Sequence, residues 1–167
     1  TADQEASATK AGQMMYAEAG ITLAHEGATH ISDMNVIKRS ADAGANIIDV
    51  VAYPFMTDVD TIVKQFPLDT WGKYNNHFKI GGVKITEDGS PQGKTAFFTT
   101  PYLTGGPGGE KNWKGEPTLP DNDLNALVKK VWNWKVPLII HVNGDAAIDK
   151  FQQAYLLARG KDSTTRS

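Results

Sequence analysis

A lysine and a histidine each lie near the end of an apolar run in this sequence. Lys84 is followed by the turn 88–90, of sequence Asp-Gly-Ser, and His141 is followed by the turn 143–145, of sequence Asn-Gly-Asp. In a parallel barrel, the carboxyl ends of the strands face the mouth of the active site. A neutral imidazole at such a strand end is a common metal ligand. We therefore interpret the two strand ends as two parts of one metal site.

Strand alternation predicts the direction of the Lys84 side chain. Successive side chains point to opposite faces of a strand, so Lys84 lies on the face opposite to Val83 and Ile85. Covering helices favour the apolar Val83 and Ile85 face, which leaves Lys84 pointing inward. A lysine in that position is costly unless it has a partner or a function. The alternative is an ion pair with Glu87 or Asp88, or a solvated lysine in an open sheet.

The sequence around His141 fits two interpretations. His141 shares a strand face with Ile139, and the glycine of the turn 143–145 lets the backbone approach a ligand before Asp145 caps a helix. A metal ligand and a hydrogen-bonded core histidine fit this pattern equally well.

Three other motifs lack the spacing of known sites. His25 and His30 are five residues apart, which does not place both rings on one helical face. We expect this segment to be a strand-end loop near the site rather than a metal pair. The segment 88–96 has too few glycines for a phosphate loop, and the glycine-rich segment 105–109 has no following Lys-Ser/Thr and no helix start.

The sequence pattern predicts alternating helices and strands. Strands are expected near 21–25, 47–53, 79–85 and 137–142. Helices are expected over 3–19, from Ser32 or Asp33 to about 44, from Thr57 to 66, from 120 onward with an apolar face that includes Trp132, and from Asp145 to about 160. The segment 86–119 is rich in Gly and Pro, so we expect a loop that is poorly tethered unless another segment or a partner covers it. The polar tail 161–167 is expected to be flexible.

This order of elements predicts an α/β fold. Repeated βα units imply a parallel sheet in sequential order, covered by helices. Two solutions are open, namely a small doubly wound sheet and half of a (β/α)8 barrel. A complete barrel needs eight strands and about 250 residues, whereas this chain has 167 residues.

Composition narrows the classes of partner. Apolar residues make up 40% of the chain, as in a globular domain. The formal net charge of -2, without a block of like charges, argues against nucleic acid or an anionic membrane as partner. There is no cysteine, which excludes disulfides and cysteine-based zinc sites. The first residues lack a Met start and the pattern of a signal peptide, so we expect an internal piece of a longer protein or a processed product.

The two strand ends resemble a known family. The segment Gly82-Val83-Lys84-Ile85, with Asp88-Gly89-Ser90 and Thr95-Ala96, is similar to the fourth-strand motif of metal-dependent amidohydrolases of the YtcJ-like (amidohydrolase 3) group. The segment His141-Val142-Asn143-Gly144-Asp145-Ala146-Ala147-Ile148 resembles the fifth-strand motif of that group. Gly20-Ile21-Thr22 with Glu26-Gly27-Ala28-Thr29 resembles its second strand and loop. The resemblance covers nearly the whole chain in the expected order.

The resemblance implies that residues 1–167 are a partial catalytic domain, about strands two to five of a TIM-like (β/α)8 barrel. Members of this family hydrolyse amide-type C–N bonds through a water activated by one or two divalent metals, commonly zinc. Only Lys84, which is often carboxylated in the family, and His141 match the metal ligands, because the sequence has no His-x-His pair. The catalytic acid is expected beyond Ser167, and the isolated segment is expected to be inactive.

The resemblance also implies the contacts to substrate. The expected substrate-binding residues are Asp88, Gly89, Ser90, Gly144 and Asp145, and the loop 99–116 is expected to line the pocket. The expected partners are a small-molecule substrate and the remaining barrel segments of the parent chain, and a homo-oligomer is compatible with them; no nucleic acid or membrane is expected. Two alternatives are an intact small α/β binding module without catalysis and a deaminase of the same barrel superfamily.

Overall fold

The structure, a computed structural model, describes residues 1–161. The chain divides into two compact units, Thr1–Lys84 and a second unit that begins at Ile85. The elements of the first unit are α1 (Ala2–Glu18), β1 (Leu23–Thr29), α2 (Ile31–Asp42), β2 (Asp49–Pro54), α3 (Val59–Gln65), a short 3-10 helix (Leu68–Thr70) and β3 (Phe78–Ile80). The tail that we expected to be flexible, 161–167, lies outside the described residues except for Lys161.

A parallel sheet forms the centre of the first unit. Its strand order is β1-β2-β3, and β2 pairs in parallel with both neighbours. Val51 and Ala52 of β2 are almost fully buried, as expected for a central strand covered on both faces. The predicted parallel, sequential arrangement is therefore confirmed for these three strands.

Strand β1 is longer than predicted, and this corrects the interpretation of the segment after His25 as a loop. The strand continues to Thr29, with an irregular register between Glu26 and Thr29. Thr29 is fully buried, and its hydroxyl accepts a hydrogen bond from the Tyr53 amide at 3.1 Å while donating to the Glu26 carbonyl at 2.9 Å. These bonds let the strand continue past Gly27 despite the irregular pairing.

The start of α2 also differs from the prediction. The helix begins at Ile31 with His30 as its N-cap, two residues before the expected cap at Ser32 or three before that at Asp33. The Ile31 amide donates to the carboxylate of Asp58, 2.9 Å away and 27 residues later in the chain. A cap supplied from a distant segment leaves no local signal in the sequence.

The predicted strand 79–85 is two strands, β3 and β4 (Val83–Thr86), separated at Gly81-Gly82. The Gly81 amide donates to the carbonyl of Ala52 at 2.9 Å. A Cβ at Gly81 would lie 2.5 Å from the Val51 side chain and 2.9 Å from the Tyr53 ring. The glycine therefore permits a close approach to β2 that a larger residue would prevent. Lys84 next forms an isolated parallel bridge with Phe55.

The second unit contains the two-stranded sheet of β4 and β5 (Leu138–His141), with β4 beginning in the last two residues of the first unit. The helices α4 (Asp121–Trp134) and α5 (Asp145–Arg159) pack against each other. Leu124, Val128 and Val131 form the buried face of α4, as their helical spacing predicts. The fold class is therefore mixed α/β with parallel strands. Across the described residues, each helix is too short or too polar to cross a membrane.

Candidate functional site

Lys84 occupies the strand position that the alternation predicts. Its neighbours Val83 and Ile85 are fully buried, whereas Lys84 is half-buried. Among the described residues of its own unit, the Lys84 side chain makes no hydrogen bond or ion pair. Glu87 and Asp88, the two acids that were considered as partners, have other contacts within the second unit.

His141 is the last residue of β5, and its backbone carbonyl accepts a hydrogen bond from the Glu87 amide at 3.0 Å. Its ring nitrogen Nε2 lies 3.3 Å from the carbonyl oxygen of Gly89 and 3.1 Å from Nδ2 of Asn143. The Asn143 amide group also donates to the Gly89 carbonyl at 2.8 Å. Sequence reasoning assigned no role to the Asn143 side chain, although its place two residues after His141 was a signal.

The carboxylate of Asp88 is buried beneath the turns 88–90 and 143–145. Asp88 is 1% exposed. Oδ1 accepts a hydrogen bond from the Asn143 amide at 2.8 Å, and Oδ2 accepts from the amides of Gly144 at 2.7 Å and Phe97 at 3.0 Å. The structure therefore gives this carboxylate three backbone partners from two other segments. Contact between Asp88 and a substrate stays a prediction.

Gly89 and Ser90 form a turn that is closed by Thr95. The Gly89 amide donates to the Thr95 carbonyl at 3.1 Å, and the Ser90 amide donates to the Thr95 hydroxyl at 2.9 Å. The Ser90 hydroxyl accepts from the amide of Gly93 at 3.1 Å. Hydrogen bonds within residues 89–95 close this turn. Gly89 and Ser90, two of the predicted substrate contacts, lie on it.

Gly144 and Asp145 connect β5 to α5. A Cβ at Gly144 would lie 1.8 Å from the carbonyl oxygen of Phe97, so only glycine fits this position. Asp145 is exposed, and its carboxylate accepts from the Thr99 amide at 2.8 Å and the Thr99 hydroxyl at 2.5 Å. These Thr99 donors lower the pKa of Asp145 below its ordinary value. Asp145 was predicted to cap α5, but it is the first helical residue and Gly144 is the cap.

The segment 86–119 is tethered by its own hydrogen bonds, which corrects the expectation of a poorly tethered loop. The amides of Phe98 and Tyr102 donate to the carbonyls of Lys114 and Trp113 at 2.7 and 2.8 Å. The Tyr102 hydroxyl donates to the Ala96 carbonyl at 2.9 Å. The expectation was based on the lack of apolar periodicity in this segment. Backbone hydrogen bonds and aromatic side chains hold the segment without such periodicity.

A buried ion pair between Glu87 and Lys150 lies just after the end of β4. Glu87 is fully buried, and Nζ of Lys150 lies 3.0 Å from its Oε1, outside the direction of a hydrogen bond. Lys150 also lies 2.9 Å from a carboxylate oxygen of Asp121 and donates to the Leu119 carbonyl at 2.9 Å. Burial raises the pKa of Glu87, and Lys150 offsets this only in part. Sequence reasoning missed this pair, although Glu87 has the same strand parity as buried Ile85.

A catalytic metal needs three or four ligands. Within residues 1–161, no group of three His, Asp or Glu side chains is arranged to hold a metal. Lys84 and His141 lie in different units, so their joint geometry stays a prediction. The imidazole of His141 and the amine of Lys84 could hold a metal only together with further ligands.

Comparison with known proteins identifies the family. The sequence model of the amidohydrolase family matches residues 1–167. The chain belongs to this family. None of the curated proteins matches this chain.

Two solved structures resemble this chain in fold. One is an uncharacterized metal-dependent hydrolase from Pyrococcus horikoshii OT3, with a TM-score of 0.77 and 20% identity, over 93% of this chain and 30% of that chain. The other is an uncharacterized metal-dependent hydrolase from Pyrococcus furiosus, with a TM-score of 0.74 and 19% identity, over 90% of this chain and 30% of that chain. The chain thus spans 30% of the length of each of these structures.

Proposed function

We propose that this chain is part of the catalytic barrel of a metal-dependent hydrolase that cleaves amide-type C–N bonds. The carrying observation is the family match over residues 1–167. The sequential parallel strands β1, β2 and β3 support a segment of a TIM-like barrel. The chain spans 30% of each similar structure, which supports the view that a longer protein completes the site.

Lys84 and His141 are the proposed metal ligands from this chain. A divalent metal, zinc in our proposal, would lower the pKa of a bound water to roughly 7 and polarise the scissile carbonyl. On carboxylation, the Lys84 amine would become an anionic oxygen ligand. His141 would contribute a neutral ring nitrogen, and the remaining ligands and the catalytic acid would come from the longer protein.

The turns 88–90 and 143–145 and the loop 99–116 would form part of the substrate pocket. Gly89, Ser90 and Asp145 lie on these turns, and Asp145 is bonded to Thr99 at the start of the loop. A loop fixed by its own hydrogen bonds orients a substrate without a large ordering cost. Glycine at 89 and 144 lets these turns pack directly against Thr95 and Phe97, which fixes their position beside the proposed pocket.

The test is metal content and amide hydrolysis in the longer protein that contains this chain. We expect stoichiometric divalent metal by elemental analysis, and hydrolysis of part of a panel of N-acyl amino acids and cyclic amides. Lys84→Met and His141→Gln should each lose metal and most activity. Native mass spectrometry should show one added carbon dioxide that Lys84→Met lacks.

Matched controls separate ligand loss from general damage. Lys79 lies over the Tyr74 ring at 4.5 Å, and His77 is bonded to Asp49 at 2.8 Å on the surface of the first unit. Lys79→Met and His77→Gln should keep full metal content and activity. Full metal content in both Lys84→Met and His141→Gln would refute the proposed function.

A further inference from the structure

One buried carboxylate controls the backbone that follows His141. The two amides after Val142, those of Asn143 and Gly144, both donate to Asp88. A third amide, from Phe97, donates to the same carboxylate. Asp88 is 1% exposed, so water does not compete for these bonds. Hydrogen bonds to an ionised acceptor are shorter and stronger than those between neutral groups.

Both neighbours of the His141 ring belong to residues that Asp88 holds. Gly89, whose carbonyl oxygen lies 3.3 Å from Nε2, directly follows Asp88 in the chain. Asn143, whose Nδ2 lies 3.1 Å from Nε2, has its backbone amide bonded to Asp88. The Asn143 side chain also donates to the Gly89 carbonyl at 2.8 Å, which joins the two turns above the ring.

These two neighbours favour opposite tautomers of His141. The Gly89 carbonyl only accepts, so it favours a proton on Nε2, whereas the Asn143 Nδ2 group only donates, so it favours a lone pair there. The relative positions of the two turns therefore bias which ring nitrogen carries the proton. The partner of the distal nitrogen sets the orientation and tautomer of a metal-bound histidine.

We propose that Asp88 is a positioning residue that fixes the orientation and tautomer of His141 through Gly89 and Asn143. The relevance to metal binding rests on the proposed function, but the relation between Asp88 and the His141 ring does not. In this role, Asp88 acts on the His141 ring through other residues. The His141 ring is the group that is positioned, and the turns 88–90 and 143–145 hold it.

The chain has four histidines, so the His141 ring is resolved by long-range proton–nitrogen correlation spectra of the 167-residue protein. His141→Gln assigns its signals. We expect wild-type protein to show one set of His141 ring signals with a fixed tautomer ratio. We also expect scalar couplings across the hydrogen bonds from the Asn143 and Gly144 amides to the Asp88 carboxylate.

Asp88→Asn is the sharp variant, because it keeps the shape of the side chain. An amide offers one accepting oxygen, so its NH2 group must face at least one of the three backbone amides, donor against donor. We expect the His141 ring nitrogen shifts and tautomer ratio to change, while His25, His30 and His77 keep theirs. Asp58→Asn is the matched control, since Asp58 also accepts from a backbone amide, and it should leave His141 unchanged.

Unchanged His141 signals in folded Asp88→Asn would overturn the proposal. If that variant does not fold, Asn143→Ala decides, because it removes a ring neighbour and keeps every bond to Asp88. Altered His141 signals in Asn143→Ala support the proposed route, and unaltered signals overturn it. In the longer protein, Asp88→Asn should weaken zinc binding by about 10- to 100-fold. Metal content that is independent of His141 would refute the proposed function and leave the effect of Asp88 on the ring intact.

Discussion

Residue 144 must be glycine, because the second unit has no space for a side chain at this position. Its φ of -80° is ordinary, so the constraint is space and not backbone conformation. Gly144→Ala would place a methyl group 1.8 Å from the Phe97 carbonyl and displace the loop or the turn. We expect this substitution to lower the free energy of unfolding by about 1–3 kcal/mol, as overpacking does at other sites. Urea unfolding measures it.

Gly27 provides the matched control for that substitution. It lies in β1, and a Cβ there would meet no atom within 4 Å. Gly27→Ala should be neutral or slightly stabilising, because alanine restricts the unfolded chain more than glycine does. Equal losses in the two variants would show that the close approach at Gly144 is not the cause.

Asp58 gives the first unit a stability that depends on pH. Its carboxylate accepts from the amide of Ile31 and lies 3.2 Å from the His30 ring. The Ile31 bond, followed by Thr57 and His30, lowers the pKa of Asp58 below its ordinary value of 3.8. The unfolded state therefore binds more protons below that pH. The stabilisation is present above pH 3.8 and is lost as the pH falls through the lower, folded-state pKa.

Asp58→Asn should cost about 1 kcal/mol at pH 7 and progressively less as the pH falls below 3.8 and through the lower, folded-state pKa of the wild-type carboxylate. Thermal unfolding of both proteins from pH 7 to pH 2 gives the difference. His30→Gln should keep most of this pH dependence, because the Ile31 amide is the largest cause. A difference between Asp58→Asn and wild type that does not vary with pH would contradict the assignment.

At the scale of elements, the sequence predicted what depends on local pattern. The β-branched run at β2 and the helical spacing of Leu124, Val128 and Val131 gave the strand and the helix correctly. The failures depend on distant contacts. Gly81 separates β3 from β4 because two side chains of β2 lie against it. The start of α2 is bonded to Asp58, 27 residues away.

The candidate site shows the same division. Strand parity correctly placed Lys84 opposite to two buried residues. It gave no sign that Asp88 binds three amides, because these come from residues 9, 55 and 56 positions later in the chain. It also missed the pairing of Glu87 with Lys150, which depends on how α5 packs. Residue types at a strand end thus indicated a site, and tertiary contacts decided the role of each residue.

Lys150 connects α5 to the end of β4 and to the start of α4. Its ammonium lies 3.0 Å from the fully buried Glu87 carboxylate and 2.9 Å from that of Asp121. Lys150→Met would leave the Glu87 carboxylate buried without a counter-charge. We expect the free energy of unfolding at pH 7 to fall by about 3–5 kcal/mol, the usual result of removing one partner of a buried ion pair. Chemical denaturation measures the loss.

Two variants test the cause of that loss. Glu87→Gln combined with Lys150→Met removes both charges, and it should be more stable than Lys150→Met alone. Lys38→Met breaks a surface pair with Asp42, in which both side chains are at least 36% exposed, and it should cost only about 0.5 kcal/mol. If Lys150→Met cost no more than Lys38→Met, the buried pair would not hold these elements together.

At the scale of the whole molecule, the proposed function assigns two metal ligands to this chain and the others to the longer protein. Residues 1–161 hold no group of three His, Asp or Glu side chains that could bind a metal. We therefore expect the 167-residue chain to bind zinc more than about 100-fold more weakly than the longer protein and to hydrolyse no amide. Isothermal titration with zinc measures the first, and circular dichroism controls for folding. Equal affinity in a folded 167-residue chain would contradict shared ligation and would favour an intact binding module with a site of its own.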